Sequence, residues 1–395
     1  MHTIQEQEAR YMINTYNRRP EKNLLLVRGQ GCLVWDEAGR EYLDFVGGLA
    51  VNVVGHCHPA VVRAVQEQAA ALIHTSNLYY TGPQVELARV LVERSCVDRV
   101  FFANSGAEAN EAAIKLARKY GRGRYKIIAA HRSFHGRTLA ALSATGQPKY
   151  RQGFEPLVAG FNFAQFNDLA SFERLMDQET AAILVEPVQG EGGVYAAEGS
   201  FLSGLRELCD RYQALLIFDE VQCGLGRTGK LWAYERWGAQ PDIITAAKGL
   251  GGGLPIGVML ARERAAAAFQ PGDHASTFGG NPVACAAARA VLDILLEPSF
   301  LEQVNEKALF WKEELARLAA AYPALIKESR GAGFITALEL AAPLAQQVQS
   351  RCQEKGLLLN AIGDHILRFL PPLVVTREQL EIGRKIIDQV FSDLG

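Results

Sequence analysis

The 395-residue chain has no apolar run approaching the roughly 20 residues of a membrane span, which excludes a helical membrane protein. Its first stretch, "MHTIQEQEARYMINTYNRRP", lacks the apolar segment of a signal peptide. The seven cysteines are odd in number and include no C-x-x-C pair, so the expectation is a cytoplasmic protein with free thiols. An excess of one charge is missing too. With 41 Lys and Arg against 43 Asp and Glu, the net charge of −2 gives no overall field to attract nucleic acid or an anionic membrane. The basic stretch "RKYGRGRYK" (118–126) reads as a solvated helix end. In "GHCHP" (55–59) two histidines and a cysteine stand together, but no second cluster supplies the remaining ligands of a metal site. It reads as a turn ahead of a helix starting near Pro59, and no metal is expected. There is no internal repeat and no low-complexity tract.

What is present is a soluble globular composition, 49% hydrophobic and 21% charged, in a chain long enough for two or three domains. Residues 1–60 read as extended pieces, with two β-rich runs around Gly29 and Gly31 and a turn at "DEAGR". From 61 to about 297, helices such as 105–120 and 200–213 alternate with short apolar runs. Those runs are "RVFFAN" (99–104), "KIIAAH" (126–131), "AAILVEP" (181–187), "ALLIFDE" (214–220), "DIITAA" (242–247) and "PIGVMLA" (255–261). Runs this short, separated by helices, predict strands buried on both faces of a mostly parallel sheet, an α/β domain. Residues 298–395 change pattern again. Amphipathic helices at 300–321 and 376–393 flank strands near 333–340 and 366–370, predicting a smaller α+β unit.

Open parallel sheets bind ligands beyond the carboxyl ends of their strands, so the residues after each run carry the chemistry. Lys248 stands at the mouth of a buried strand, ahead of the glycine-rich bend "KGLGGG". A lysine there is costly unless it is paired, neutral or chemically engaged. Asp219 ends the run "LLIFD" and needs a cationic partner, which an arginine or a cofactor cation could supply. In "NSGAEANE", Ser105, Gly106 and Ala107 open a helix. Their free amides suit a phosphate, and Ser105 is equally a plain N-cap. In "SFHGRT", aromatic Phe134 and cationic Arg137 lie three residues apart. Together these parts point to one cofactor, pyridoxal phosphate. It attaches to a lysine amine as a Schiff base, and an aspartate keeps its ring nitrogen protonated. The G-x-G-x-x-G match "GLGRTG" (224–229) is not a dinucleotide fingerprint, because "DEVQC" separates it from the strand and sets two carboxylates where a pyrophosphate would approach.

"LLIFDEVQCGLGRTG", "AAKGLGGGLPIG", "NSGAEANEAAIKLAR", "FHGRT", "EPVQGEGG" and "STFGGNP" resemble the signature stretches of the class III pyridoxal-phosphate aminotransferases. The resemblance runs from "GREYLDFVGGLAVNVVGHCHP" (39–59) to "RFLPPLVV" (368–375), nearly the whole chain. Within that class, "GGLAVNVVGHCHP" and "FDEVQCGLGRTG" are most similar to the members that act on acetylornithine. The resemblance implies the fold-type I architecture: a large domain with a seven-stranded, mostly parallel sheet, and a small domain built from both chain ends. It also implies a homodimer with shared active sites. In that arrangement the segment holding Ser276 and Thr277 reaches in from the partner, with Thr277 meeting the phosphate.

The residue roles implied are as follows. Lys248 holds pyridoxal 5′-phosphate and moves the proton, and Asp219 pairs with the ring nitrogen. Glu220, Val221 and Gln222 follow in the same cofactor loop, with Gln222 near the ring's phenolic oxygen. Phe134 stacks on the ring, and Ser105, Gly106 and Ala107 hold the phosphate. Arg137, with Ser276 nearby, takes the α-carboxylate of N-acetylornithine. Arg368 takes that of glutamate or 2-oxoglutarate, and Glu191 masks Arg368 when the distal amine is present. Tyr16 lines the substrate entrance. Read as residues alone, Glu186 and Glu191 also suit ordinary loop carboxylates and Arg368 a small-domain salt bridge. Ornithine, succinylornithine or 4-aminobutyrate transamination and an aminomutase are the neighbouring activities. An inactive binding protein on the same fold is the reading from another class.

Overall fold

The computed structural model describes residues 3–16, 18 and 24–394; the remaining positions of the N-terminal segment and Gly395 lie outside the described residues. Three strands, β1 (Leu26–Gln30), β2 (Leu33–Asp36) and β3 (Glu41–Asp44), pair antiparallel in succession. Asp36 closes the "DEAGR" turn, its Oδ1 accepting from the amides of Ala38 (3.0 Å) and Arg40 (2.9 Å). The reading of the first 60 residues as extended fails at Ile4–Tyr11, which is a helix. Thr3 and Glu6 cap it reciprocally, side chain to backbone in both directions. The T-x-x-E spacing was the signal, in a stretch too short to show a helical period.

Next in the chain come β4 (Arg99–Ala103), β5 (Lys126–Ala130), β6 (Phe161–Ala164) and β7 (Thr180–Val185). A two-residue hairpin follows, β8 (Val188–Gln189) with β9 (Tyr195–Ala196). Then come β10 (Leu215–Asp219), β11 (Ile243–Ala246) and β12 (Gly257–Ala261). Excluding the hairpin, these form one sheet in the order β4-β12-β11-β10-β7-β5-β6. β12 runs antiparallel to both of its neighbours, and every other pair is parallel. The sequence pattern named six of the seven. It missed β6, "FNFA" at the sheet edge, where Phe161, Asn162 and Phe163 are only partly buried.

β10 shows why such strands are apolar throughout: all five of its residues are buried. Leu215, Leu216, Ile217 and Phe218 each contribute about 1.5–3 kcal/mol relative to exposure. That surplus lets the strand carry one buried carboxylate, Asp219, at its end.

The last quarter contributes β13 (Ile326–Ala332), β14 (Ile335–Leu340), β15 (Leu357–Leu358), β16 (Asn360–Ile362) and β17 (Ile366–Phe369). β13, β14, β17 and β16 make an antiparallel sheet, while β15 joins β3 in parallel and ties the two chain ends together. Trp311, on the helix Phe300–Ala321, meets Phe45 and Phe369 edge-on at 5.5 Å each, so both ends share one core. The second predicted C-terminal helix is Arg377–Ser392. Among the described residues no helix is long and apolar enough to cross a membrane.

Candidate active site

The carboxyl ends of β4, β5, β7, β10 and β11 open on one cavity of about 450 Å³. The antiparallel β12 enters from the same edge, so Gly253–Ile256 complete the wall. Ser105, Gly106, Ala107, Phe134, Arg137, Glu191, Asp219, Val221, Gln222 and Lys248 all line it. Ten residues singled out along the sequence thus share one space.

Lys248 begins a short 3-10 turn with φ of 41°, in the left-handed region that a residue with a Cβ rarely adopts. Such a backbone costs of order 1–3 kcal/mol and persists where its surroundings fix it. The surface Lys248 retains faces the cavity, and its amine makes no hydrogen bond or ion pair among the described residues. Burial lowers its pKa; the Glu191 charge opposes that and Arg368 adds to it. It is an amine held ready to lose its charge.

Asp219 is buried, and its partners are not arginines. Oδ2 accepts from Asn110 Nδ2 at 2.7 Å and faces His135 Nδ1 at 2.8 Å, while Oδ1 accepts from the Val221 amide at 3.0 Å. Thr245 donates to Asn110 Oδ1 (2.7 Å), and the Asn110 amide also donates to the His135 carbonyl (2.7 Å), which fixes its orientation. With Nδ1 turned to Asp219, His135 Nε2 is buried without a partner among the described residues. Asn110 and His135 were missed in the sequence. The signal was there: Asn110 is a polar residue on the otherwise apolar buried face of Gly106–Gly121, and His135 sits inside "SFHGRT".

At the start of that helix the Ser105 side chain accepts from Glu108 N (3.2 Å), so Ser105 is an N-cap. Gly106 and Ala107 lie in the first turn, where no preceding helical carbonyl exists to take their amides. A Cβ on Gly106 would stand 2.6 Å from a Val221 methyl, so only glycine lets the helix end approach the loop after β10. Phe134 meets Tyr150 edge-on at 5.5 Å, and the Arg137 guanidinium lies 4.3 Å from the Tyr150 ring centroid and 5.5 Å from that of Phe134. Arg137 has no carboxylate partner among the described residues.

The second arginine is covered. Arg368 on β17 is 1% exposed and pairs with Glu191 Oε1 at 2.6 Å. It also donates to Gly190 O (2.9 Å), Gln222 Oε1 (3.1 Å) and Asn360 Oδ1 (2.6 Å). Gln222 Nε2 donates to Glu191 as well, at 3.0 Å. Burial would raise the Glu191 pKa, but Arg368, Lys248 and the Gln222 hydrogen bond outweigh it and bring it to about 2. Glu186 behaves oppositely. It is buried and accepts from the amides of Phe134 (2.9 Å) and Gly190 (3.3 Å), yet desolvation and the Asp219 charge push its pKa well up.

Besides Arg368, which lies behind Glu191 and outside the cavity lining, four expected residues stand elsewhere. Glu220 follows Asp219, but its side chain turns away from the cavity and accepts from the amides of Ala233 (2.5 Å) and Tyr234 (2.8 Å). Ser276 touches the rim through Asn104 Nδ2 (3.3 Å), and its neighbour Thr277 is exposed outside the cavity. Tyr16 is exposed and lines a separate groove beside the helix Ile4–Tyr11. "GLGRTG" forms turns with Gly226 and Gly229 at positive φ and opens no helix there, which removes a pyrophosphate site. In "GHCHP", His56 bonds Asp44 (2.7 Å) and His58 caps the helix Pro59–Ala71.

The donor set fits pyridoxal phosphate. An unpartnered amine at Lys248, a buried carboxylate at Asp219, an aromatic face at Phe134 and a helix start cleared by Gly106 surround a cavity with room for a ring and its phosphate.

The family model for class III aminotransferases matches residues 15–391. The chain is 51% identical to an acetylornithine aminotransferase of Caldanaerobacter subterraneus subsp. tengcongensis, over 98% of each chain. Among solved structures it is similar to an ornithine aminotransferase of Toxoplasma gondii, with a TM-score of 0.94 and 33% identity over 100% of this chain and 96% of that one. An N-acetylornithine aminotransferase of Stenotrophomonas maltophilia is similar too, with a TM-score of 0.84 and 36% identity over 98% of each chain. The central sheet and these neighbours place the fold as fold-type I. By family model, by identity across nearly its full length and by fold, the chain belongs to the class III aminotransferases.

Proposed function

We propose that this enzyme transfers the distal amino group of N-acetylornithine to 2-oxoglutarate, giving N-acetylglutamate semialdehyde and glutamate in arginine biosynthesis. The observation that carries the reading is a pair of arginines, one lining the cavity and the other behind the lining residues Glu191 and Gln222. Arg137 is open to a carboxylate, and Arg368 is covered by Glu191. The two donors differ in just this respect. Glutamate brings a carboxylate beside its reacting amine, whereas acetylornithine brings a methylene chain there and a carboxylate at its far end. The 51% identical relative bears the acetylornithine name.

Pyridoxal 5′-phosphate, when bound, supplies the electron-withdrawing ring that makes the amine-bearing carbon acidic. Everything else falls to the chain. Lys248 Nζ would hold the cofactor and, as a free amine, would carry the proton from the donor's amine-bearing carbon to the cofactor. Its burial favours the uncharged amine that this needs. Asp219, oriented by Asn110 and His135, would keep a proton on the ring nitrogen. Phe134 and Val221 would flank the ring, Gln222 would approach its phenolic oxygen, and Ser105, Gly106 and Ala107 would hold the phosphate. Arg137 binds the acetylornithine carboxylate with Ser276 nearby, and Arg368 binds that of glutamate when Glu191 withdraws.

The same reading makes the enzyme a homodimer, with Thr277 completing the partner's phosphate site and Tyr16 at the entrance. Exposed Ile73, Leu78, Tyr79, Tyr80 and Phe278 support a covered face: Tyr80 is fully exposed and Leu78 83% exposed. Residues 61–297 form the cofactor domain, with 1–60 and 298–395 as the small one. Seven free cysteines accord with a cytoplasmic setting. A single-turnover panel of amino donors tests the reading through the bound cofactor's visible absorbance. Acetylornithine and glutamate should react fastest. Faster reaction of ornithine, succinylornithine or 4-aminobutyrate than of acetylornithine would refute it, and no reaction with any donor would indicate a binding protein.

A further inference from the structure

The loop that carries Glu191 does not rest in a relaxed backbone. Gly193 has φ of 117° and Val194 has φ of 61°, and for a β-branched residue the latter is a genuine outlier. Val194 is fully buried, in a cluster with Ala332 and Ile335 beside the turn between β13 and β14. A segment in that state persists only where its surroundings over-determine it. Arg330 on β13 supplies much of that constraint. Its Nε donates to Gly193 O at 2.9 Å, and its guanidinium lies 4.1 Å over the Tyr195 ring. Its Nη1 pairs with Glu339 at 2.6 Å and with Glu328. Tyr195, whose hydroxyl lies 3.4 Å from Glu339, has Arg132 5.1 Å from its ring centroid.

Two arginines of one sheet therefore grip the same loop. Arg368 holds it at Gly190 O and Arg330 at Gly193 O, with Glu191 between them. Arg330 touches neither the cavity nor Glu191. We propose that Arg330 is a positioning residue that presets the Gly190–Val194 loop so that Glu191 reaches Arg368, and so helps decide which amino donor the site accepts. The proposal rests on the reading above that Glu191 covers Arg368 for a donor with no carboxylate there.

Arg330→Lys keeps a positive charge facing Glu328 and Glu339 but loses the planar fork that bonds Gly193 O while stacking on Tyr195. Tyr195→Leu removes the stacking surface from the other side. Both are measured in the cofactor-loaded enzyme, by single-turnover rates with each donor and by calorimetric binding of glutarate, an unreactive dicarboxylate that competes with Glu191 for Arg368. A looser Glu191 should tighten glutarate about threefold and lower kcat/KM for acetylornithine about tenfold, with the glutamate half-reaction held within about twofold. In a Glu191→Gln background neither substitution should shift glutarate binding further, because the group they position is gone. A merely structural Arg330 would depress both donors alike and act additively with Glu191→Gln; either result overturns the proposal. If Glu191→Gln shifts the balance of donors but Arg330→Lys and Tyr195→Leu do not, positioning by Arg330 is refuted and the Glu191 reading stands. If Glu191→Gln itself shifts nothing, both fall together.

Discussion

Replacing Glu191 with glutamine probes the substrate switch at its centre. The carboxylate lies 2.6 Å from Arg368 Nη1 and accepts from Gln222 at 3.0 Å. Its fall in pKa from 4.5 to about 2, against the upward push of burial, corresponds to about 3 kcal/mol favouring the charged form. That value is a ceiling for what the substitution removes, equivalent to about a hundredfold in rate. The amide oxygen can still accept from Arg368, so a loss of about tenfold is expected in the acetylornithine half-reaction, where a buried guanidinium then faces methylenes. Glutamate should be spared or accelerated, because its carboxylate no longer competes with Glu191. The depressed pKa also has a pH signature. The pair's contribution to folding is fully present above about pH 4.5 and is lost as the pH falls toward about 2. Stopped-flow single turnovers with each donor, read from the cofactor absorbance, measure the two donor effects, and melting temperature against pH measures the third. Equal losses for the two donors would refute the switch and leave Glu191 a structural loop carboxylate.

Four further outcomes are expected. Lys248→Ala should abolish the covalent cofactor band and nearly all turnover while leaving the melting temperature of the cofactor-free protein no lower, since a buried amine is removed; substantial turnover without added amines would refute its role. Asp219→Asn places an amide against the donors of Asn110 and His135 and should slow proton abstraction by at least about a hundredfold, seen as a larger isotope effect with a donor deuterated at the reacting carbon. In Gly106→Ala the new methyl meets Val221 at 2.6 Å and pushes the helix start away, so titration of the cofactor-free protein should show about tenfold weaker cofactor binding. Burial pushes the Glu220 carboxyl from 4.5 up to about 8, so its contribution to folding is fully present below about pH 4.5 and is lost as the pH rises to about 8. Glu220→Gln should flatten the fall in melting temperature across that window, and an unchanged profile would show that the carboxyl is ionised throughout.

Much of the molecule follows from local pattern. Five- to seven-residue apolar runs between helices predict buried strands because neither face of such a strand meets water, and six of the seven central strands are legible that way. Chemistry collects at their carboxyl ends, so Lys248, Asp219, Ser105 and Phe134 could be named as candidates before any contact was known. Among the elements missed were some with weak local signals, such as β6 at a sheet edge and Ile4–Tyr11, held by its cap with no buried residue; β13 and the helix Ala345–Glu354 were missed as well.

Contacts between distant parts of the chain were another matter. That Asp219 is held by Asn110 and His135, 109 and 84 positions away, depends on how one helix packs across the sheet. The direction of each side chain was equally hidden. Glu220 and Asp219 are neighbours in sequence, but one turns to the amides of Ala233 and Tyr234 and the other to the cavity. The pairing of Glu191 with Arg368 spans 177 positions and two sheets. Local sequence determines which segments are strands and which residues end them, because those preferences act over a few residues. Which carboxylate meets which cation is decided by packing, since the cost of burying a charge is set by whatever the tertiary fold brings within reach of it.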